Sequence, residues 1–232
     1  MMIMVIALDG PAGAGKSTIA RRLAASLGFL YIDTGAMYRA VALWAARNGT
    51  PLENEAELER LAQAADIGLE SVPNSDKPRV WLNGEDITDL IRTPDIAQAA
   101  SKASAIGGVR RALVDKQRAL AEKASVVMEG RDIGTVVFPD AHVKIFLDAA
   151  PEERARRRVE DPAAPAGLSY EAVLRDINER DHRDRNRTEA PLRQADDAIY
   201  LDSTKLSISE VEEHILAIVR SRAEGAQVLG RK

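Results

Sequence analysis

The feature that most constrains the fold of this chain is a glycine-rich octapeptide near its N-terminus, Gly10-Pro-Ala-Gly-Ala-Gly-Lys-Ser17. An apolar run over residues 3–8 comes just before it and predicts a buried strand. After it, Ile19, Leu23 and Leu27 recur at the spacing of one helix face. The octapeptide fits the pattern G-x-x-x-x-G-K-[ST], and its place between a strand and a helix predicts a phosphate-binding P-loop.

The residue types of this loop indicate the ligand. Glycines let successive backbone N–H groups face one phosphate, Lys16 is expected to bridge the β- and γ-phosphates of ATP, and Ser17 to ligate Mg²⁺. ATP is therefore the expected co-substrate and Mg²⁺ the expected cofactor. The residues predicted to bind ATP in this segment are Gly10, Pro11, Ala12, Gly13, Ala14, Gly15, Lys16, Ser17 and Thr18.

A second candidate for the metal site is Glu129, which follows the apolar strand over residues 126–128. P-loop enzymes use an acid at such a strand end to hold the metal ion and its waters. The alternative is a solvated acid with no metal role, and the short motif leaves both readings open.

Further strand-length apolar runs predict the rest of the fold. They cover residues 143–147 and 198–201, and helical segments separate them, which is typical of a parallel sheet covered on both faces. Between residues 66 and 88, short strands around Asn83-Gly84 predict a hairpin. We predict an α/β fold: a P-loop NTPase-type parallel sheet flanked by helices, with a small β-insert for the acceptor and a helical lid.

We expect one domain over residues 1–232, because this length suits one α/β domain better than two. Its predicted parts are a core over residues 1–65, 105–150 and 190–232, an acceptor-binding insert over about 66–104, and a lid over about 151–188.

Arginines flank a Pro/Ala-rich tip at residues 161–167 and suggest a lid. They are Arg154, Arg157 and Arg158 before the tip, and Arg180, Arg183 and Arg187 after it. The plainer reading is two solvated helices whose arginines pair with neighbouring acids. A P-loop on the same chain favours the lid, because phosphoryl transfer between two nucleotides requires fixed guanidiniums. No general base is expected, since a monophosphate acceptor is largely a dianion at neutral pH.

Composition excludes several other classes of protein. The chain has no cysteine, which excludes disulfides and thiolate metal sites and agrees with a cytoplasmic location. Its net charge of -4 argues against a nucleic-acid partner. The N-terminal apolar run is too short for a signal peptide or a membrane span, so no membrane partner is expected. We expect a monomer.

At this point the chain resembles the bacterial cytidylate kinase family over nearly its whole length. Besides the P-loop, the segments that carry the resemblance are Asp33-Thr-Gly-Ala-Met-Tyr-Arg39, Ile91-Arg-Thr93, Glu129-Gly-Arg-Asp-Ile-Gly-Thr-Val-Val-Phe-Pro-Asp140, Lys144-Ile-Phe-Leu-Asp148 and Arg180-Asp-His-Arg-Asp-Arg-Asn-Arg187. The resemblance implies transfer of the γ-phosphate of ATP to CMP or dCMP, giving ADP and CDP or dCDP.

The resemblance also implies roles for individual residues. The acceptor phosphate would be held by Arg39, Arg131 and Arg187, and the ribose by Arg180 and Asp184. The base would be surrounded by Thr34, Ser101, Arg110 and Asp132, and Arg157 is a candidate for the donor phosphates. Lys16, Arg131 and Arg187 would be the catalytic residues. An Asp–Arg pair suits cytosine better than it suits uracil, because uracil exchanges donor and acceptor at two positions of the pairing edge.

Two departures from the family pattern limit what is carried over. Glu129 stands where the family more often has Asp, and the tip is shorter and less charged than in many relatives. The main alternative is another P-loop small-molecule kinase, for a different nucleotide or a metabolite such as shikimate. A GTPase switch would require an Asn/Thr-Lys-x-Asp element, which does not follow any predicted strand. A nucleic-acid-linked ATPase is disfavoured by the acidic charge.

Overall fold

The computed structural model describes residues 3–70, 72, 78–162, 164 and 167–229. Its main sheet has five parallel strands in the order β2-β6-β1-β7-β8, so the P-loop strand β1 is central. The strands are β1 Val5–Asp9, β2 Leu30–Asp33, β6 Val126–Gly130, β7 Val143–Asp148 and β8 Ile199–Asp202. The predicted runs agree with these strands to within one or two residues.

Helices cover both faces of the sheet. Alternate residues of β1 point to opposite sides: Ile6 and Leu8 pack against α1 and α8, and Val5 and Ala7 pack against α5. The helices are α1 Lys16–Leu27, α2 Thr34–Arg47, α3 Glu55–Ala64, α4 Pro94–Ala103, α5 Gly107–Ala121, α6 Pro151–Glu160, α7 Tyr170–Asn186 and α8 Ile208–Leu229. None of the described helices is long and apolar enough to cross a membrane.

Side-chain caps mark several helix ends. Thr93 caps α4, its side chain accepting from the Ile96 N–H, and Ser207 and Glu210 bond each other reciprocally where α8 begins. Helix α4 ends at Ala103 and α5 begins at Gly107, so residues 104–106 separate the two helices and Gly107-Gly108 forms the start of α5. Helix α3, which Asn54 caps, was not predicted.

A second, antiparallel sheet lies within the predicted insert. It consists of β3 Ile67–Glu70, β4 Arg79–Leu82 and β5 Glu85–Asp86. Asn83 and Gly84 both have positive φ and form the turn between β4 and β5, which confirms the predicted hairpin. Residues 71 and 73–77 of the insert, and 163, 165 and 166 of the predicted tip, lie outside the described residues.

Candidate active site

One cavity of about 790 Å³ opens at the carboxyl ends of the parallel strands. The P-loop, the start of α2, the end of β6, and helices α6 and α7 line it. This edge is where α/β sheets commonly bind ligands. The cavity brings the two predicted halves of the site together, since both Lys16 and Asp132 line it.

The P-loop residues that face this cavity are Ala12 to Thr18. Gly10 has another role: a side chain there would overlap the carbonyl oxygen of Leu147, so this glycine lets the loop pack against β7. The contact of Gly10 with ATP stays a prediction. Pro11 accepts a hydrogen bond from Lys16 Nζ at 2.6 Å through its carbonyl oxygen.

Lys16 is only 5% exposed. Burial, and then the nearby Arg131 guanidinium, lower the pKa of Lys16 to about 7. A lysine held among other cations in this way is suited to a ligand with several negative charges, which would restore its ordinary protonation.

Glu129 and Ser17 meet beside Lys16. The register of the sheet sets Glu129 opposite Leu8 of β1 and Asp33 of β2. Burial, and then Asp33, raise the pKa of Glu129, while its hydrogen bond with the Ser17 side chain acts in the opposite direction. The second partner is Tyr31, whose buried hydroxyl donates to Glu129 Oε1. The sequence analysis missed Tyr31, because nothing local marks a tyrosine in a strand as a partner of a residue 98 positions away.

These groups fit Mg²⁺. A hydroxyl and a carboxylate are hard oxygen ligands, and Mg²⁺ usually binds one or two protein oxygens together with substrate phosphates and water. No group of three or more His, Cys, Asp or Glu side chains suited to a metal occurs in the described part of the chain.

Four arginines converge on the other end of the cavity: Arg39, Arg131, Arg180 and Arg187. Three of them have a buried nitrogen with no hydrogen-bond partner among the described residues, namely Arg39 Nε, Arg180 Nε and Arg187 Nη2. Burial, and then Arg131, lower the pKa of Arg180 to about 10. Buried donors without acceptors are unfavourable, so this cluster has the character of an anion site.

Acidic partners fix the geometry of these arginines. Asp33 caps α2 by accepting from the Ala36 N–H at 3.0 Å, and it also accepts from Arg39 Nη2 at 2.8 Å. Arg131 Nε donates to Asp184 at 2.9 Å. Burial opposes ionisation of Asp184, but Arg131 and then Arg180 outweigh it and lower the pKa of this carboxyl.

A buried ion pair between Arg110 and Asp132 lies next to the arginine cluster. Arg110 also donates to the Ser104 carbonyl at 3.1 Å, and its guanidinium lies 5.7 Å from the centroid of the Tyr38 ring. Ser101 Oγ is buried nearby and has no hydrogen-bond partner within the described part of the chain. Thr34 lines the same cavity, and its hydroxyl donates to the Glu129 carbonyl at 2.7 Å. The residues predicted to surround a base therefore do share one wall of the cavity.

The predicted lid arginines have different environments. Arg157 lines the cavity and donates to the Ser203 carbonyl at 2.6 Å and to Glu153. Arg154 pairs with Asp181, as the plainer reading expected, but it is buried and not solvated. Arg156, which was not among the predicted lid arginines, is exposed and pairs with Glu153 and Glu160.

The model of the family described as cytidylate kinase matches residues 6–221, nearly the whole chain. This chain belongs to the cytidylate kinase family. A cytidylate kinase of Solibacter usitatus is 59% identical over 222 residues, which cover 94% of this chain and 93% of that protein. A cytidylate kinase of Carboxydothermus hydrogenoformans is 49% identical, with 93% of this chain and 97% of that protein covered.

Solved structures support the fold. A shikimate kinase from Bacteroides thetaiotaomicron aligns with a TM-score of 0.50 at 14% identity, covering 94% of this chain and 99% of that one. The α/β prediction, with a parallel P-loop sheet between helices, is thus confirmed. At this low identity the similarity to the shikimate kinase shows the fold alone. The family assignment rests on the family model and the curated relatives.

Proposed function

We propose that this protein transfers the γ-phosphate of ATP to CMP or dCMP with Mg²⁺ as cofactor, giving ADP and CDP or dCDP. The observation that carries the proposal is a single cavity with a P-loop at one end and, at the other, buried guanidinium nitrogens that have no hydrogen-bond partner among the described residues. A P-loop alone would serve any nucleotide hydrolase, whereas a second anion site in the same cavity suits an acceptor that is itself a phosphate. We infer that the base of the acceptor is cytosine from the relatives, which are named cytidylate kinases.

In this proposal the donor lies on the P-loop. Loop N–H groups and Lys16 bind the β- and γ-phosphates, and Ser17 and Glu129 hold Mg²⁺ or its waters. The metal ion, when bound, neutralises charge on the transferred group. Arg157 is a candidate donor-side contact because it lines the same cavity and is held beside Ser203.

The acceptor phosphate is assigned to Arg39, Arg131 and Arg187. Their fixed positive charges would bring two anions together and stabilise the charge that develops on the transferred group, so Arg131 and Arg187 join Lys16 as the proposed catalytic residues. The acceptor attacks through its own phosphate oxygen, so no side chain has to remove a proton. Arg180 and Asp184 are assigned to the ribose hydroxyls.

Base selection is assigned to Arg110 and Asp132, with Thr34 and Ser101 beside them. Cytosine offers an amino donor at N4 and acceptors at N3 and O2, which match a carboxylate beside a guanidinium. With uracil, O4 would face the carboxylate and N3–H the guanidinium. Such buried mismatches can discriminate by orders of magnitude.

The remaining expectations complete the proposal. Residues 66–104 would serve as the acceptor subdomain and residues 151–188 as a lid whose closure excludes water from the γ-phosphate. A monomeric state and a cytoplasmic location stay predictions.

The test is an ADP-release assay with purified protein, Mg²⁺ and ATP, run with CMP, dCMP, UMP, AMP and GMP in turn. We expect CMP and dCMP to give rates at least about 100-fold above the others. Lys16→Ala should abolish transfer to every acceptor. ATP breakdown at the same slow rate with and without monophosphates would overturn the proposal.

A further inference from the structure

Arg154 stands out because it is a buried cation in an otherwise polar, exposed helix. Its side chain is 1% exposed, and the one other buried residue of α6 is Ala155. Burying a guanidinium is unfavourable unless hydrogen bonds compensate for the lost water. The role of Arg154 therefore lies in the bonds that it makes.

These bonds join three separate segments. Nε donates to the Ala149 carbonyl at 2.8 Å, between β7 and α6, and Nη1 donates to the Ala12 carbonyl at 2.9 Å, in the P-loop. Nη2 donates to Asp181 Oδ2 of α7 at 2.6 Å. The other oxygen of Asp181 is buried and has no partner among the described residues, so Arg154 is the residue that satisfies this carboxylate.

The contact with the P-loop constrains its shape. A trans peptide holds its C=O and N–H in opposite directions, so fixing the Ala12 carbonyl also fixes the direction of the Gly13 N–H. Gly13 has φ +78°, and a side chain there would come within 3.3 Å of Arg154 Cβ. Arg154 thus packs against the loop as well as bonding to it.

The contact with α7 leads to the other end of the cavity. Arg180 precedes Asp181 in the helix, and Asp184 lies one turn further on. Both line the cavity, and Asp184 bonds Arg131. A shift of Asp181 along or about the helix axis must therefore move the residues assigned to the acceptor, because they belong to the same rigid turns.

We propose that Arg154 and Asp181 are positioning residues that couple ATP binding on the P-loop to acceptor binding on α7. The identities of the two ligands rest on the function proposed above. An ATP-bound loop holds Ala12 and Arg154 in one arrangement, which holds Asp181 and hence Arg180 and Asp184 in the arrangement that the acceptor needs. By linkage the effect is reciprocal, so the acceptor strengthens ATP binding by the same factor.

The test measures the factor by which CMP changes the affinity of the protein for an ATP analogue. Calorimetric titrations give the Kd of a non-hydrolysable ATP analogue with Mg²⁺ in the absence and presence of saturating CMP. In the unmodified protein we expect CMP to tighten analogue binding about tenfold. Asp181→Asn keeps size and one acceptor oxygen but removes the charge that holds Arg154, so the factor should fall below about two while the Kd without CMP changes by less than about threefold.

Arg154→Lys keeps the charge but cannot reach three segments at once. This variant should lose the coupling between CMP and the ATP analogue. It should also weaken analogue binding about tenfold, because the Ala12 carbonyl loses its hydrogen bond from Arg154. The matched control is Glu179→Gln, the same chemical change at an exposed position of α7. Thermal unfolding of each variant checks that it is folded.

The proposal is overturned if the unmodified protein shows no coupling, if Asp181→Asn retains it, or if Glu179→Gln loses as much. Failure of CMP to bind the unmodified protein at all would instead refute the proposed function. In that case the Kd of the ATP analogue alone tests whether Arg154 positions the P-loop. The same Kd in Arg154→Lys as in the unmodified protein would refute that role.

Discussion

At the scale of single residues, the wall formed by Arg110 and Asp132 is where acceptor choice is proposed to arise. Both side chains are buried and pair with each other, and Asp132 Oδ1 also lies 3.5 Å from Arg187 Nη2. The pair is therefore held before any ligand enters, and a base that mismatches it cannot be accommodated by rotation of one side chain.

Asp132→Asn tests this role. The variant presents an amide donor where cytosine N4 also donates, so we expect kcat/KM for CMP to fall about 100-fold. The Kd of ATP should stay within about twofold, because Asp132 lies at the acceptor end. The control is Asp140→Asn, the same substitution at an exposed aspartate eight residues further along the chain. Equal losses in CMP turnover and ATP binding would contradict the base-reading role.

Tyr31 is the second residue whose role can be isolated. Its hydroxyl holds one oxygen of Glu129, and removing an outer partner of a metal ligand commonly weakens metal binding 10- to 100-fold. We expect Tyr31→Phe to raise the Mg²⁺ concentration for half-maximal activity about tenfold and to leave the KM for CMP unchanged. Tyr200→Phe, at an exposed tyrosine, is the control. An unaltered Mg²⁺ dependence would show that Tyr31 only packs the core.

At the scale of elements, a single π-helical turn, Ile133–Val137, positions the residues just before it, Arg131 and Asp132. Its two ends are held by different parts of the fold. Asp9 of β1 accepts from the Ile133 and Gly134 N–H groups at 2.8 and 2.7 Å. Arg118 of α5 donates to the Val136 and Val137 carbonyls at 2.9 and 3.0 Å.

Arg118→Met tests the far end of this turn. Two carbonyl groups lose their donor, so the free energy of unfolding should fall by about 1 kcal/mol. The KM for CMP should rise several-fold while that for ATP stays unchanged, because Asp132, which directly precedes the turn, is assigned to the acceptor base. Urea unfolding and initial rates measure these effects. Arg111→Met is the control, since the ion pairs of Arg111 with Glu59 and Glu189 are long and exposed. The same loss in both variants would contradict the role.

At the scale of the whole molecule, the sequence was informative wherever a signal is local. The octapeptide and the Asn83-Gly84 turn each depend on a few consecutive residues, and the predicted strand, loop and helix and the predicted hairpin agree with the structure. Arg154 was recognised only as one of several lid arginines. Its burial depends on Ala12 and Asp181, 142 and 27 residues away, and no pattern along the chain encodes those contacts.

Long-range contacts also determine how stability responds to pH, and Asp9 is the clearest case. Burial outweighs the two backbone N–H bonds and raises the pKa of Asp9 from 3.8 to about 6. In the unfolded chain this carboxyl ionises near pH 4, whereas the folded protein retains the proton up to about pH 6. Folding therefore takes up a proton between these values, and the Asp9 contribution to stability falls as pH rises through this window, by about 3 kcal/mol in total.

This contribution can be separated from those of other carboxylates by comparing pH profiles. Asp9→Asn cannot ionise, so the difference in unfolding free energy between the unmodified protein and the variant should change by about 3 kcal/mol between pH 4 and pH 6 and stay flat above pH 7. A carbon NMR titration of the Asp9 carboxyl should give a midpoint near 6. A midpoint near 3.8 together with parallel stability profiles would mean that the two backbone hydrogen bonds fully offset the effect of burial on the pKa of Asp9.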